Sequence, residues 1–109
     1  MQDFIKAIES IKEKVKKKYK PLRIVLFGSC LQGKATEDSD IDMLIIKETS
    51  NSPGERWMEV CKIARDFKRR IPFEPIVLTP EEIKERLELG DFFLQEILTE
   101  GKVLYEKKH

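Results

Sequence analysis

A chain of 109 residues with 40% hydrophobic side chains fits a single domain around one modest core. Its 38% charged residues stand well above the roughly 25% of an ordinary globular protein, so ions crowd the surface. No apolar run approaches the 18 or so residues of a membrane span, and a formal net charge of +1 gives no sign of a nucleic-acid coat.

Phe4, Ile5, Ile8, Ile11 and Val15 recur at helical intervals among lysines and glutamates. That spacing predicts an amphipathic helix from Asp3 to about Lys18, ended at Pro21, and not a secretory leader. Between Ser10 and Lys20 six lysines face Glu13 alone. They read as a solvated helix face whose C-terminal end the macrodipole favours, or as one pole of a surface that steers a charged partner. Leu22 to Phe27 is a short aliphatic run and reads as a buried strand, as does Ile41 to Ile46.

Ser52-Pro53 is a helix start with proline in the first turn. Trp57, Val60, Cys61, Ala64 and Phe67 then share one face, a stripe expected in the core. Phe73 to Thr79 is a third strand, in which Pro75 points to an edge position or an irregular start. Thr79 caps a helix with acids in its first turn. A last helix covers Asp91 to Glu100, closed by Gly101, before an extended tail at Val103 to Tyr105. Seven acids between Pro80 and Glu100 oppose Lys84 and Arg86. Phe92, Phe93, Leu94, Ile97 and Leu98 are more apolar surface than so small a core can bury, and the surplus is expected to meet a partner. Cys30 and Cys61 lie far apart in no CxxC pattern, which suggests reduced thiols in a cytoplasm and neither zinc nor a disulfide framework. The order implies an α/β fold of the α+β type, with a small mixed sheet flanked by helices.

The stretch "VLFGSCLQGKATEDSDIDMLII" holds the chemistry. Gly28 to Lys34, "GSCLQGK", has the spacing of a P-loop. Yet Ala35 stands where a magnesium-binding hydroxyl belongs, Thr36 comes one position late, and "ATEDSD" runs into a strand where a helix should follow. The other reading joins Gly28-Ser29 to Asp40-x-Asp42. Alternate residues of a strand share a face, so Asp40 and Asp42 point the same way while Ile41 packs beneath. Two converging carboxylates repel unless a cation lies between them, and a hard divalent ion such as magnesium suits oxygen ligands. Gly28 lets backbone approach a ligand. Ser29 offers a hydroxyl and an amide at the start of a short helix, where anions are favoured. On residue types alone, an acidic surface loop after a strand fits equally well.

Gly-Ser, a ten-residue interval and Asp-x-Asp opening an apolar strand resemble the DNA polymerase beta nucleotidyltransferase superfamily. With "FFLQEILTEGKVLYE" at the other end, the short chain looks like the minimal nucleotidyltransferases, prokaryotic antitoxin partners of HEPN-domain toxins. The resemblance covers nearly the whole chain and implies a nucleotidyltransferase-like fold with residues 1–109 as a single domain. It makes Gly28 and Ser29 the triphosphate-binding pair, with Lys34 and Ser39 also on the nucleotide. It makes Asp40 and Asp42 catalytic metal ligands, and Glu74 of "FEPIVLT" the third carboxylate in place of the more usual aspartate. Two magnesium ions are implied, with ATP or another NTP as donor. AMP would pass to a hydroxyl of a HEPN protein, silencing it, within a homo- or hetero-oligomer. Cys30 and Gln32 stand where relatives often carry arginines; Lys34 replaces part of that charge or is a solvated turn lysine. A rival reading follows from that departure: a catalytically weak or inactive subunit that neutralises its partner by contact through Phe92 to Leu98. Direct nucleic-acid binding by the lysine-rich helix is not expected, because no exposed aromatics interleave it.

Overall fold

The structure, a computed structural model, describes residues 2–29, 31, 39–65 and 71–108. Its elements follow in the order α1 (Gln2–Lys18), β1 (Arg23–Phe27), β2 (Ile41–Ile46), α2 (Pro53–Ala64), β3 (Phe73–Leu78), α3 (Pro80–Glu88), α4 (Phe92–Glu100) and β4 (Lys102–Glu106). Four strands form one mixed sheet in the order β3-β2-β1-β4. β1 pairs antiparallel with β2 and β4, whereas β2 and β3 run parallel. The fold is the expected mixed sheet flanked by helices.

Helices cover both faces of that sheet, which is why β2 is almost uninterrupted hydrophobe rather than alternating. On one face Ile24, Leu26, Ile41, Met43, Ile45 and Val77 pack with Ala7, Ile11 and Val15 of α1 and Val60 and Ala64 of α2. On the other, Val25, Leu44, Ile46 and Leu78 meet Leu94 and Ile97 of α4. Pro75 lies on β3, an edge strand, where a residue without an N–H costs the ladder least.

The helix starts obey the caps read from sequence. Ser52 and Thr79 each accept from the backbone N–H of the residue three ahead, Glu55 and Glu82, and each of those glutamates bonds back to the cap's own N–H. Asp91 caps α4 by accepting from the Leu94 amide at 3.0 Å. At the α1–β1 junction Lys20 takes a left-handed φ of 55°, and the Lys47 ammonium braces the turn by donating to the Tyr19 carbonyl at 2.6 Å.

One packing expectation is corrected. Trp57 is not in the core: it is 47% exposed, and the buried stripe of α2 runs Arg56, Val60, Ala64. Arg56 takes the inward position because its guanidinium finds partners there. Its Nε donates to the Asn51 carbonyl at 2.8 Å, and one terminal nitrogen donates to the Val77 carbonyl at 3.4 Å and to the Glu82 carboxylate at 2.7 Å. Cys61 is half-buried, and Phe67 of the same expected stripe lies outside the described residues.

Gly101 closes α4 as expected, but in an extended conformation (φ −70°, ψ 161°) and not the left-handed one that usually calls for glycine there. Close approach explains it: a Cβ would press on the Ile97 carbonyl, stand 2.6 Å from Val25 Cγ1 and 3.1 Å from the Leu26 carbonyl. Gly101→Ala is therefore expected to cost about 1–3 kcal/mol, as overpacking of a tight core does. A urea titration checks this, with the midpoint falling and the slope unchanged.

Candidate functional site

The register of three neighbouring strands assembles the site. Phe27, the last residue of β1, stands opposite Asp42, and Asp42 stands beside Glu74 of β3. Strand partners in register present their side chains to the same face, so Asp42 and Glu74 share the face of Leu44 and Ile76. Asp40 precedes β2 by one residue, and Ile41 between the two aspartates is fully buried. The aspartate pair is anchored by its hydrophobic neighbour, as the alternation predicted.

Gly28 lies against the Asp42 carboxylate. Its φ of +86° is a conformation side chains rarely adopt, and a Cβ there would run into the Asp42 carboxylate. The turn that follows is closed by the Leu31 amide donating to the Gly28 carbonyl at 3.2 Å. Backbone and carboxylate thus lie against each other with no side chain between them. Gly28→Ala is expected to lower the melting temperature and to displace Asp42, with a cost of about 1–2 kcal/mol for the left-handed φ alone. A thermal melt measures the first, and the Asp42 carboxylate resonance, by shifting, reports the second.

The three carboxylates lie close enough to repel one another. Burial, then the charges of Asp40 and of Glu74, push the Asp42 carboxyl above the ordinary carboxylate range. The same Glu74 charge adds to burial in pushing the Cys61 thiol up. Surplus negative charge of this kind is relieved by a cation. Among the described residues no group of three His, Cys, Asp or Glu side chains is gathered closely enough to hold an ion alone. An open pair still fits magnesium, which keeps several waters and takes one or two carboxylates together with substrate phosphates.

Of the residues singled out in the sequence, Gly28, Ser29, Ser39, Asp40, Asp42 and Glu74 are described, and register and charge bring Gly28, Asp40, Asp42 and Glu74 to one place. Lys34, Cys30 and Gln32, and the expected short helix after Ser29, lie outside the described residues. The P-loop reading is overturned by topology. β1 and β2 are antiparallel neighbours, whereas a P-loop strand leads through its helix to a parallel one. No helix among the described residues is long and apolar enough to cross a membrane.

One feature was missed in the sequence. A cavity of about 110 Å³ opens beside Gly28, floored by Phe27, Leu31, Phe93 and Ile97 and flanked by Glu96 and Glu100. Phe27 and Phe93 meet edge to face, their centroids 5.9 Å apart at 79°. The signal was present in α4, where Phe93, Glu96 and Glu100 follow at i, i+3 and i+7 and so share one helix stripe.

Comparison with known proteins agrees with this geometry. "Putative protein adenylyltransferase MJ0604" of Methanocaldococcus jannaschii is 31% identical over 102 residues, covering 92% of this chain and 96% of that protein. "Putative protein adenylyltransferase MJ1305" of the same organism is 32% identical over 92 residues, which is 79% of this chain and 59% of that protein. A crystal structure described as a putative nucleotidyltransferase from Sulfolobus solfataricus superposes with a TM-score of 0.55 at 27% identity, over 74% of this chain and 70% of that one. Residues 9–109 match the family described as "Polymerase beta, Nucleotidyltransferase", and with Asp42 set between Gly28 and Glu74, the chain belongs to that family.

Proposed function

We propose that this chain is a single-domain, magnesium-dependent protein adenylyltransferase that transfers AMP from ATP to a hydroxyl of a partner protein, the hydroxyl oxygen attacking the α-phosphorus as pyrophosphate leaves. The observation that carries the proposal is Asp42, in register with Glu74 and lying against the Gly28 backbone. The names of the two Methanocaldococcus relatives support the protein-modifying reading. In keeping with the sequence resemblance, the partner is a HEPN-type toxin and this chain its antitoxin.

Asp40 and Asp42 hold the cation, and Glu74 lies beside them to orient the acceptor hydroxyl and receive its proton. Magnesium, when bound, neutralises charge on the triphosphate and polarises the α-phosphorus. The Gly28-Ser29 turn admits the phosphates because glycine keeps side chains away from them, while the Ser29 hydroxyl and amide donate to their oxygens. Ser39 and Lys34 complete the nucleotide side. Most of the work is positioning and charge stabilisation, which suits a small rigid sheet.

Incubation with labelled ATP and the protein encoded beside it tests the reading. A nucleotide-sized mass increase on that partner is expected, lost with a chelator and lost in Asp40→Ala. A partner that is bound and silenced with no change in mass sinks the catalytic reading in favour of neutralisation by contact, which the exposed Phe92 and Phe93 also support.

A further inference from the structure

The α3–α4 side of the molecule carries an apolar surface that the core does not use. Leu89 is 87% exposed, Phe92 81% and Phe93 58%, and Leu87 is also in solvent. This surface is continuous with the cavity beside Gly28, because Phe93 is at once an exposed residue and part of that cavity's wall. Around it stand Glu85, Glu88, Glu96 and Glu100, all exposed, and the half-buried Asp91. Arg86 is the cation of this stretch that pairs within it, 3.9 Å from Asp91.

Charge decides what such a surface can take. Symmetric pairing of two copies through it would bring acidic rim against acidic rim, and an anionic membrane surface would be repelled in the same way. A triphosphate is disfavoured in the cavity by Glu96 and Glu100. A long cationic side chain is not. Its alkyl stem would lie on Phe27, Leu31 and Phe93, and its charged head would reach the two glutamates.

We propose that the cavity between Gly28 and α4 seats an arginine or lysine of the acceptor protein, and that Leu89 and Phe92 extend it into a docking surface for a basic partner segment with apolar anchors. The inference deepens the proposed adenylyl transfer by naming how the acceptor is recognised. It places the partner's cation next to the Gly28 turn, so that a hydroxyl close to that cation in the partner arrives beside Asp42.

The test uses the full chain and three labelled amphipathic peptides of equal length, Leu/Arg, Leu/Gln and Leu/Glu, followed by anisotropy and by amide shifts. The Leu/Arg peptide is expected to bind tightest and to move the resonances of Phe93, Glu96 and Gly101. Its affinity should fall about tenfold in Glu96→Gln/Glu100→Gln, and by a similar factor in Phe92→Ser, which changes no charge. Equal binding of the Leu/Arg and Leu/Gln peptides overturns the proposal, as do shifts confined to α1 or no loss in Phe92→Ser. Concentration-dependent self-association abolished by Phe92→Ser overturns it in favour of a second copy as occupant. Asp42→Ala should leave peptide binding intact, so failure of the docking surface and failure of the transfer reaction are read separately.

Discussion

Asp42→Asn should abolish nucleotide transfer, by at least about 10³-fold, while raising the melting temperature at neutral pH by an amount of the order of a few degrees. Both effects come from one cause. Burial and the charges of Asp40 and Glu74 hold the Asp42 carboxyl above its ordinary range, so folding favours its protonated form. Below the unfolded carboxylate range the group is neutral in both states and imposes no penalty. As pH climbs through that range toward the raised value, the folded protein must ionise a group it disfavours, and stability falls. Asparagine removes this loss. The gap between variant and parent should therefore be small in acid and widen toward neutrality. Magnesium should close it by stabilising the parent alone, since a cation among the carboxylates offsets the same repulsion. Thermal melts across pH, with and without the ion, check the sequence of effects. A variant that melts lower than the parent at neutral pH would make Asp42 a structural residue.

Arg56→Ala is expected to be the most destabilising single change away from the site, at about 3 kcal/mol. Only 5% of Arg56 is exposed, and its loss strands the Val77 and Asn51 carbonyls as well as the Glu82 carboxylate. For a domain of this size that corresponds to a fall of about 10–20 °C in melting temperature. Lysine should not restore it, because a single ammonium cannot reproduce the guanidinium fork. The pH profile gives a second check. Burial raises the Glu82 carboxyl, but the Thr79 amide, Arg56 and the Thr79 hydroxyl together outweigh it and hold the group below its usual range. Stability from this cluster is thus present above the unfolded carboxylate range and lost as pH falls through the lowered value. The variant should lose part of that acid dependence.

How much of this was legible in the sequence depends on the range of the interaction concerned. Ile41 to Ile46 and the helix starts at Ser52 and Thr79 are local patterns, and each stands where the residues put it. Pro75 pointed to an edge or an irregular start, because a missing N–H is a local fact with a non-local consequence, and the strand order decides for the edge. Trp57 misled because helical spacing fixes which residues share a face but not which face is buried. The choice was made by Arg56, whose partners lie on β3, α3 and the loop before α2. Gly101 ends α4 where it was read, but the reason for glycine there lies with Val25 and Leu26, which are distant in the chain. At the site, Gly28, Asp40 and Asp42 could be grouped from spacing. The alignment of Glu74 with Asp42 required the parallel register of β3, which spacing does not encode.

Glu74 belongs to a strand that is bonded on one side only. Fraying at that border would pull one carboxylate away from its companions while the β1–β2 hairpin stayed intact, so the acidic constellation is more fragile than the scaffold beneath it. Cation capture should then act as a clasp on this border, slowing deuterium uptake at Glu74 and Ile76 far more than at Leu44 or Ile45.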